Sequence, residues 1–465
     1  MNLERINRVY LIGVGGIGKR ALARYINELG KEVAGYDRVS KPLTQQLEKE
    51  GVIIHYEDEP GLIPSAFTQN KKRTLIIYTP AVSKDHSELN FFRENGYAVL
   101  KRSEVLGEIS KAKTCLAVAG THGKTTVSSM LAHLLNNSSL GCNAFLGGIV
   151  KNYDSNLIVN KKSNLMVVEA DEFDRSFLNL SPNMALITSI DADHLDIYND
   201  KATLQQAFDE FASKLPQNST LVYHKGLTLE IPEDKNLQTY TYSLKAGADF
   251  YAANLEITDS KYRFDLVTPR ETLKNFTLSI PGLVNVENAV AALAMAYLQK
   301  MDKESLFKNL SSFQGIQRRF DVQFTREGVV YIDDYAHHPR EISYTVQSVR
   351  DFYPGKKILG VFQPHLYSRT RDFAGEFAES LEELDEVILL DIYPAREEPI
   401  EGVTSEIILK KIEKTTATVC SKNDLPDMLR EKDIEVLITM GAGDIDRMVK
   451  PINDQLKERY GEEEE

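Results

Sequence analysis

Short apolar runs alternate along most of the chain with stretches in which apolar residues recur every three or four positions. The first pair is Arg8–Gly13, which predicts a strand, and Ile17–Leu29, which predicts an amphipathic helix. The alternation restarts near residue 112 with the apolar run Cys115–Ala119, and again beyond residue 316 with Val329–Asp333. Alternating strands and helices are typical of parallel sheets with crossover helices. The pattern therefore predicts an α/β protein.

The chain has 465 residues, which exceeds the length that one hydrophobic core usually serves. Together with the two restarts, this length predicts three domains, each built on a mostly parallel sheet: residues 1–112, 113–316 and 317–465. Within the second domain, alternation of period two dominates from about Thr239 to Ile280 and predicts an antiparallel section, and a helix is predicted at Val286–Leu298.

The charge balance and the apolar runs exclude two classes of partner. Lysine and arginine total 55 against 68 aspartate and glutamate, so the formal net charge is -13. Proteins that bind nucleic acid through its phosphates usually need a cationic surface, so we expect no nucleic-acid partner. No apolar run approaches the roughly 18 residues of a membrane span, and the amino terminus lacks a signal-peptide pattern. We therefore expect a cytoplasmic protein with no membrane partner.

The segment Gly13–Gly18 fits the pattern G-x-G-x-x-G directly after the first predicted strand, and Asp37 ends the next one. In this context the glycines allow a phosphate-bearing ligand to approach the amino terminus of a helix. The alternative is that the glycines serve only tight packing. Taken alone, the motif would favour a dinucleotide-dependent dehydrogenase.

A second loop, Gly120–Thr126, lies between a predicted buried strand and a predicted helix. Its backbone N–H groups can surround a triphosphate, Lys124 can reach the outer phosphates, and the Thr125 hydroxyl can ligate Mg²⁺. It is not the strict eight-residue P-loop, because Val118 stands where the leading glycine would fall. The sequence still predicts a triphosphate site.

Carboxylates follow two further apolar strands. Glu169, Asp171 and Glu172 end the run that begins at Leu165, and we expect one of them to face Mg²⁺. The segment Asp191–Asp196 adds His194 between carboxylates, a set that suits a divalent metal ion. The alternatives are a solvated strand end and a structural histidine.

Four polar clusters in the last third of the chain follow predicted strands or lie in loops. Loops at strand ends commonly carry binding and catalytic residues, although each cluster alone is hardly more than capping and surface charge. The clusters are Arg318–Phe320, Asp333–Pro339, Phe362–Thr370 and Gly441–Asp444.

Taken in order, these motifs resemble the Mur ligases of peptidoglycan synthesis, and most closely their alanine-adding branch. The resemblance spans nearly the whole chain and rests on GVGGIGK, GTHGKTT, VEADEFDRSF, DADHLDIY, RRF, DDYAHHPREI, FQPH-YSRT, DIYPAREEPI and GAGDI. It implies a Rossmann-like UDP-binding domain, a P-loop-like central ATPase domain and a Rossmann-like carboxyl-terminal domain that binds the amino acid.

The resemblance also assigns roles to individual residues. The UDP-substrate set is Gly15, Gly16, Ile17, Gly18, Asp37, Thr79, Pro80, Ala81 and His122. The ATP set is Gly120, Thr121, His122, Gly123, Lys124, Thr125, Thr126, Asn285, Asn288, Arg319 and Asp334. The Mg²⁺ set is Thr125, Glu169 and His194, and the amino-acid set is His337, His365 and Arg369. The catalytic set is Lys124, Glu169, His194, Arg319, His337 and Arg369.

Three positions depart from patterns within the family. Val284 stands where these ligases often have histidine, and Leu366 where the alanine-adding branch usually has arginine. Phe208 occupies the place where related amino-acid-adding ligases carry a carbamylated lysine. In lacking that lysine, the chain resembles the alanine-adding branch.

The activity implied by the resemblance is ATP-dependent joining of L-alanine to the carboxylate of UDP-N-acetylmuramate through an acyl phosphate, in a monomer or homodimer. This replaces the dehydrogenase interpretation of the Gly-rich loop. Two alternatives remain. One is a murein tripeptide ligase of the same fold, and the other is a non-catalytic protein regulated by nucleotide binding.

Overall fold

The computed structural model describes residues 3–79, 82–191, 198, 200–258, 261–326, 328–395 and 397–461. These residues form three sheets. The chain divides into two compact units, of which the first contains the described parts of Met1–Glu256, Arg263–Leu278 and Glu287–Phe313. The second contains those of Ile257–Tyr262, Ser279–Val286 and Gln314–Glu465.

The first sheet is parallel, and its strands lie in the order β3-β2-β1-β4-β5. Its central strands are apolar because helices cover both faces of a parallel sheet. The strands are β1 (Arg8–Ile12), β2 (Glu32–Tyr36), β3 (Ile53–His55), β4 (Thr74–Tyr78) and β5 (Ala98–Lys101). The helices are α1 (Ile17–Glu28), α2 (Pro42–Lys49), α3 (Ser65–Thr68), α4 (Ser87–Glu94) and α5 (Arg102–Lys111), with 3₁₀ turns at Leu3–Arg5 and Pro60–Leu62.

The second sheet has ten strands in the order β15-β14-β13-β12-β11-β10-β6-β9-β7-β8. The strands are β6 (Thr114–Ala119), β7 (Asn143–Val150), β8 (Ser155–Ile158), β9 (Leu165–Ala170), β10 (Met184–Ile187), β11 (Thr220–His224), β12 (Gln238–Ser243), β13 (Phe250–Thr258), β14 (Lys261–Val267) and β15 (Thr272–Leu278). The helices are α6 (Lys124–Asn136), α7 (Lys201–Ser213), α8 (Leu283–Leu298) and α9 (Lys303–Ser311), with 3₁₀ turns at Phe173–Asn179 and Glu233–Lys235.

Our prediction of an antiparallel section from Thr239 onward was wrong for its first strand, β12. β12 pairs in parallel with both β11 and β13. The alternation has another cause, because most β12 residues are exposed or half-buried whereas Tyr242 is buried. A parallel strand that is covered unevenly alternates between polar and apolar residues just as an antiparallel strand does.

The third sheet has the order β16-β17-β21-β18-β19-β20, and only its edge strand β16 is antiparallel. The strands are β16 (Asp321–Arg326), β17 (Val329–Asp334), β18 (Ile358–Phe362), β19 (Glu386–Leu390), β20 (Thr416–Cys420) and β21 (Val436–Met440). The helices are α10 (Pro339–Phe352), α11 (Tyr367–Asp372), α12 (Ala374–Leu381), α13 (Glu406–Leu409), α14 (Leu425–Arg430) and α15 (Val449–Tyr460), with a 3₁₀ turn at Asp444–Met448.

This architecture confirms the predicted α/β class with mostly parallel sheets. Both predicted phosphate loops follow central strands, since β1 precedes Gly13 and β6 precedes Gly120. The carboxyl edge of such strands is where open α/β sheets bind ligands. Among the residues that the structure describes, no helix has the length and hydropathy needed to cross a bilayer.

Candidate active site

The loop before α6 takes a shape that only glycine tolerates at two positions. Gly120 has φ +136°, and a Cβ atom there would lie 1.9 Å from Oγ1 of Thr188. Gly123 has φ +78°, and its Cβ would lie 2.9 Å from Oδ1 of Asn288. A side chain at either position would therefore displace the loop from the strand end and helix that hold it.

Two hydroxyl groups fix the same loop to the segment that follows β10. Oγ1 of Thr121 lies 2.9 Å from Oγ of Ser189 and accepts the backbone N–H of Asp191 at 3.0 Å. The backbone N–H of His122 donates to Oγ of Ser189 at 2.9 Å. The His122 ring lies near a carboxylate, with Nε2 3.8 Å from Oδ2 of Asp191. The loop is thus fixed by hydrogen bonds to the segment that follows β10.

Lys124 is the first residue of α6, and its ammonium group is held against the backbone of the loop before this helix. Nζ donates to the backbone oxygens of Gly120 at 2.6 Å and Thr121 at 3.2 Å. It also lies 3.0 Å and 2.8 Å from the two carboxylate oxygens of Glu172. Burial acts to lower the pKa of Lys124, but Glu172 and Asp171 outweigh burial and raise it. The lysine is therefore a fixed cation at the predicted phosphate site.

Glu172 is the residue that sequence reasoning missed, because it was treated only as one of three candidate metal-facing carboxylates. Its side chain is fully buried and pairs with Lys124, which lies 48 positions earlier in the chain. Burial raises the pKa of Glu172, while Lys124 opposes that shift. The available signal was the third carboxylate in the string VEADE, but nothing in the sequence indicated its partner.

Glu169 and Thr125 form the second polar pair of this edge. Oγ1 of Thr125 donates to Oε1 of Glu169 at 3.0 Å, and the backbone N–H of Gly147 donates to Oε2 at 2.8 Å. Burial raises the pKa of Glu169, against the opposing effect of Lys124. A Cβ at Gly147 would lie 2.4 Å from either carboxylate oxygen, so a side chain here would displace the Glu169 carboxylate from this position.

The Thr125–Glu169 pair fits Mg²⁺, because Mg²⁺ binds hard oxygen ligands and takes only one or two protein carboxylates when phosphates and water supply the rest. Within the described ranges, no group of three or more His, Cys, Asp or Glu residues could hold a metal ion by itself. The third predicted ligand, His194, lies outside the described residues. The fit therefore rests on the hydroxyl and the carboxylate.

Three further predicted ATP residues lie on the helix that follows the loop, α6, and on α8. Thr126 lies half-buried in the first turn of α6. Asn288 is buried beside Gly123. Nδ2 of Asn285 donates to the backbone oxygen of Pro281 at 2.5 Å, within its own turn. The structure thus places Asn288 beside Gly123 of the phosphate loop.

The Gly-rich loop after β1 carries a carboxylate of its own. Oδ2 of Asp37 accepts the backbone N–H of Gly15 at 2.6 Å. Gly16 and Gly18 line a cleft together with Thr79, and Ile17 opens α1. The other two predicted UDP-substrate residues, Pro80 and Ala81, lie outside the described residues.

In the second unit, Arg318 and Arg319 flank the ring of Tyr335. Their guanidinium carbons lie 5.2 Å and 5.1 Å from the ring centroid. Nε of Arg318 pairs with Oδ2 of Asp333 at 3.1 Å. The carboxylate oxygens of Asp334 accept the backbone N–H groups of Phe320 at 2.6 Å and Ala336 at 2.7 Å. Asp334 thus shapes the loop that presents Arg319.

The predicted amino-acid residues share a neighbourhood of rings. The rings of His337 and His365 are 5.9 Å apart, and His365 stacks on Tyr393 at 5.8 Å. Nδ1 of His337 lies 3.1 Å from Oε2 of Glu341. Burial acts to raise the pKa of Glu341, but the charge and hydrogen bonds of His337 together with the charge of Arg319 outweigh burial and lower the pKa well below its usual range. Glu341 is a second residue that the sequence analysis did not select.

Arg369 lies in the last turn of the short helix α11. Leu366, which precedes this helix, has φ +70°, a conformation that is strained for a branched side chain. Oγ of Ser368 donates to Oε1 of Glu397 at 2.5 Å, which ties the helix to the loop after β19.

Sequence models of three Mur ligase domains match the chain. The Mur ligase family, catalytic domain matches residues 8–114, and the Mur ligase middle domain matches residues 118–296. The Mur ligase, glutamate ligase domain matches residues 318–443.

Curated and solved relatives match over almost the full length. A UDP-N-acetylmuramate–L-alanine ligase from Parabacteroides distasonis is 50% identical over 456 residues, which are 98% of each chain. One from Flavobacterium psychrophilum is 50% identical over 460 residues, covering 99% of this chain and 100% of the relative. The crystal structure of a UDP-N-acetylmuramate-alanine ligase from Thermotoga maritima matches with TM-score 0.80 and 25% identity, over 97% of this chain and 99% of that one.

Proposed function

The chain belongs to the Mur ligase family, and from that premise we propose that it joins L-alanine to the carboxylate of UDP-N-acetylmuramate with consumption of ATP. The observation that carries the proposal is 50% identity over 98% of the chain to a relative that bears this activity in its name. The fixed Lys124–Glu172 and Thr125–Glu169 pairs support it, because they provide a cation for phosphate and a hydroxyl and a carboxylate that would hold Mg²⁺ at the edge of the second sheet.

The chemistry requires activation of the acid. A carboxylate does not react with an amine at neutral pH, since the leaving group would be oxide. We propose that an oxygen of the substrate carboxylate attacks the γ-phosphorus of ATP. The bond between the γ-phosphorus and the bridging β-phosphate oxygen breaks, ADP departs, and an acyl phosphate is formed. The alanine nitrogen then attacks the acyl carbon, the carbon–oxygen bond to phosphate breaks, and the amine proton is lost.

The residues of the second sheet act by position and charge, which are the main sources of catalysis in phosphoryl transfer. Lys124 stabilises the charge that moves from the γ-phosphate to ADP. The N–H groups of the loop before α6 hold the phosphates. Bound Mg²⁺ would neutralise phosphate charge, and Thr125 and Glu169 would hold it together with His194.

The residues of the third sheet are assigned by the same proposal to the incoming amino acid and to ATP. Arg319, held beside Tyr335, would offer a cation to the phosphate. His337, His365 and Arg369 would face the amino acid, and Asp334 the ribose. Since both carboxylate oxygens of Asp334 already accept backbone N–H groups, its contact with ribose would require a shared oxygen.

We also propose the three domains 1–112, 113–316 and 317–465 as functional units for the UDP substrate, ATP and the amino acid. The support is one sheet in each range and one matching family segment in each. For the oligomeric state, a monomer or homodimer is proposed, and light scattering at assay concentration measures it.

The choice of amine tests the function directly. We expect ADP release with UDP-N-acetylmuramate, ATP and Mg²⁺ to require an amine, with kcat/KM highest for L-alanine and lower for glycine, L-serine and the murein tripeptide. Mass spectrometry of the product should show one alanine added to the nucleotide sugar. A higher kcat/KM for the tripeptide would instead support a murein tripeptide ligase. ADP release that needs no amine would contradict both ligase functions.

A further inference from the structure

The segment Arg318–Phe320 has a backbone conformation that residues other than glycine rarely adopt. Arg318 has φ +62° and Phe320 has φ +45°. Both values lie in the left-handed region, which is unfavourable for residues with a Cβ atom and most of all for bulky ones. Such conformations persist only where the surrounding structure holds them, and they cluster at functional sites. Arg319 lies between the two residues, so the strained segment is the one that presents this cation.

Backbone hydrogen bonds hold this segment at both of its ends. The N–H of Arg318 donates to Oδ2 of Asp321 at 3.0 Å, and the carbonyl oxygen of Arg318 accepts the N–H of Tyr335 at 2.7 Å. The N–H of Phe320 donates to Oδ2 of Asp334 at 2.6 Å. The main chain of the segment is therefore tied to the start of β16 and to the end of β17.

The side chain of Arg318 is bound to two further positions of the same unit. Nε donates to Oδ2 of Asp333 at 3.1 Å, and Nη2 donates to the backbone oxygen of Gly441 at 2.6 Å. Asp333 lies in β17, and Gly441 directly follows β21. Because guanidinium is a planar fork with fixed donor directions, these two bonds set the orientation of the side chain. Arg318 thus joins the segment to the carboxyl ends of two neighbouring strands.

The carboxylate that accepts the bond from Arg318 is itself held by buried hydroxyl groups. Oδ1 of Asp333 accepts the hydroxyl of Thr439 at 2.7 Å, so the phenol of Tyr331, 3.0 Å from Oγ1 of Thr439, donates to that oxygen. All three side chains are fully buried. Burial raises the pKa of Asp333 to about 6, and the charge of Arg318 opposes that shift. Since a buried polar network whose members are all paired is rigid, Asp333 is a fixed partner for Arg318.

Arg319 has a different environment from its neighbour. Its guanidinium carbon lies 5.1 Å from the centroid of the Tyr335 ring. Among the residues that the structure describes, none accepts a hydrogen bond from this guanidinium. Of the two adjacent arginines, Arg319 therefore has its donors available for a ligand, whereas Arg318 uses Nε and Nη2 within the protein.

We infer that Arg318 is a positioning residue, which together with Asp333 holds the segment Arg318–Phe320 so that the guanidinium of Arg319 meets the γ-phosphate of ATP. The inference deepens the proposed function and rests on it for the contact between Arg319 and phosphate. The two adjacent arginines have different roles, because only Arg319 touches the substrate. The bonds of Arg318 to Asp333 and Gly441 stabilise the strained backbone that this geometry requires.

The test is a double-mutant cycle on kcat, measured at saturating ATP and UDP-N-acetylmuramate with the amine that gives the fastest turnover. Arg319→Met should lower kcat by about 10²–10³-fold, the usual cost of losing one preorganised donor. Arg318→Met should lower kcat by roughly 10- to 100-fold, since misplacing a group by about 1 Å can cost this much. The double variant should be as fast as Arg319→Met to within about threefold, because no phosphate-binding cation is left to position.

A second variant and a control separate this role from general destabilisation. Asp333→Asn keeps the shape of the side chain but lacks the charge that holds Arg318, so kcat should fall, and adding Arg318→Met should lower it no further than Arg318→Met alone does. Arg430→Met removes an exposed arginine of α14 and should keep full turnover. Calorimetric titration with UDP-N-acetylmuramate counts the folded protein in each variant, and its Kd should stay the same throughout.

A kcat of the double variant that equals the product of the two single losses would show that Arg318 acts independently, and would overturn the inference. Unchanged kcat in folded Arg318→Met would overturn it as well. If Arg318→Met does not fold, Asp333→Asn with Arg319→Met forms the same cycle. Amide formation with independent losses would refute this inference alone and leave the proposed function standing.

The inference remains testable if no amine supports turnover, a result that would refute the proposed function. The same cycle is then measured on the Kd of a non-hydrolysable ATP analogue. Losses of affinity in Arg318→Met and Arg319→Met that do not deepen in the double variant would support the positioning role. A Kd that neither substitution changes, or losses that multiply, would overturn it.

Discussion

Replacing Lys124 by alanine is expected to lower kcat by about 10²–10³-fold, the usual cost of removing one preorganised donor to charge that develops in a transition state. The ammonium group is fixed by Gly120, Thr121 and Glu172, so no reorganisation is needed when phosphate charge shifts toward ADP. Steady-state kinetics at saturating ATP, UDP-N-acetylmuramate and L-alanine measures the loss.

The control for this variant is Lys162→Ala, which removes an exposed lysine of the same sheet region and should keep full turnover. Thermal unfolding must show that Lys124→Ala is folded, because removal of the lysine leaves the buried Glu172 carboxylate without its cationic partner. Lys124→Ala combined with Glu172→Gln provides a second variant that lacks this unpaired charge. Near-normal kcat in either folded variant would refute the role of Lys124.

Replacing Glu169 by glutamine is expected to raise the Mg²⁺ concentration for half-maximal activity by at least about 10–100-fold. Even the replacement of a residue that only hydrogen-bonds to a metal ligand lowers metal affinity by this factor. Glutamine keeps the shape and can still accept the N–H of Gly147, but it removes the anionic ligand. A titration of initial rate against Mg²⁺ at saturating ATP measures the shift.

The matched control is Glu230→Gln, an exposed glutamate in the same sheet region, whose Mg²⁺ titration should be unchanged. An unshifted Mg²⁺ requirement in folded Glu169→Gln would exclude Glu169 as a metal-facing ligand. A loss of kcat that no Mg²⁺ concentration restores would indicate instead that the carboxylate acts on the substrate.

The two phosphate loops were predictable from the sequence because each is formed by residues that are adjacent in the chain. The glycines, the preceding strand and the following helix lie within a short segment, and φ at Gly120 and Gly123 is positive, as glycine permits. The contacts that complete each loop were not predictable, because they join distant segments. Glu172 reaches Lys124 and Asp37 reaches Gly15 only after the sheets have formed.

Hydrophobic periodicity alone also gave a wrong prediction where parallel and antiparallel strands produce the same pattern. The alternation of β12 reflects uneven coverage of a parallel strand, which the sequence cannot distinguish from antiparallel pairing. The strands β7 and β8 were not predicted, and β7 supplies Gly147, whose N–H orients Glu169.

The central claim is that this chain activates a carboxylate as an acyl phosphate at the site formed by Lys124, Thr125 and Glu169. The most direct measurement uses UDP-N-acetylmuramate with an ¹⁸O-labelled carboxylate, ATP and L-alanine, with mass analysis of the inorganic phosphate as the amide forms. The account predicts one ¹⁸O atom in each phosphate released, because the attacking carboxylate oxygen leaves with the phosphoryl group. Unlabelled phosphate accompanying stoichiometric amide formation would contradict it.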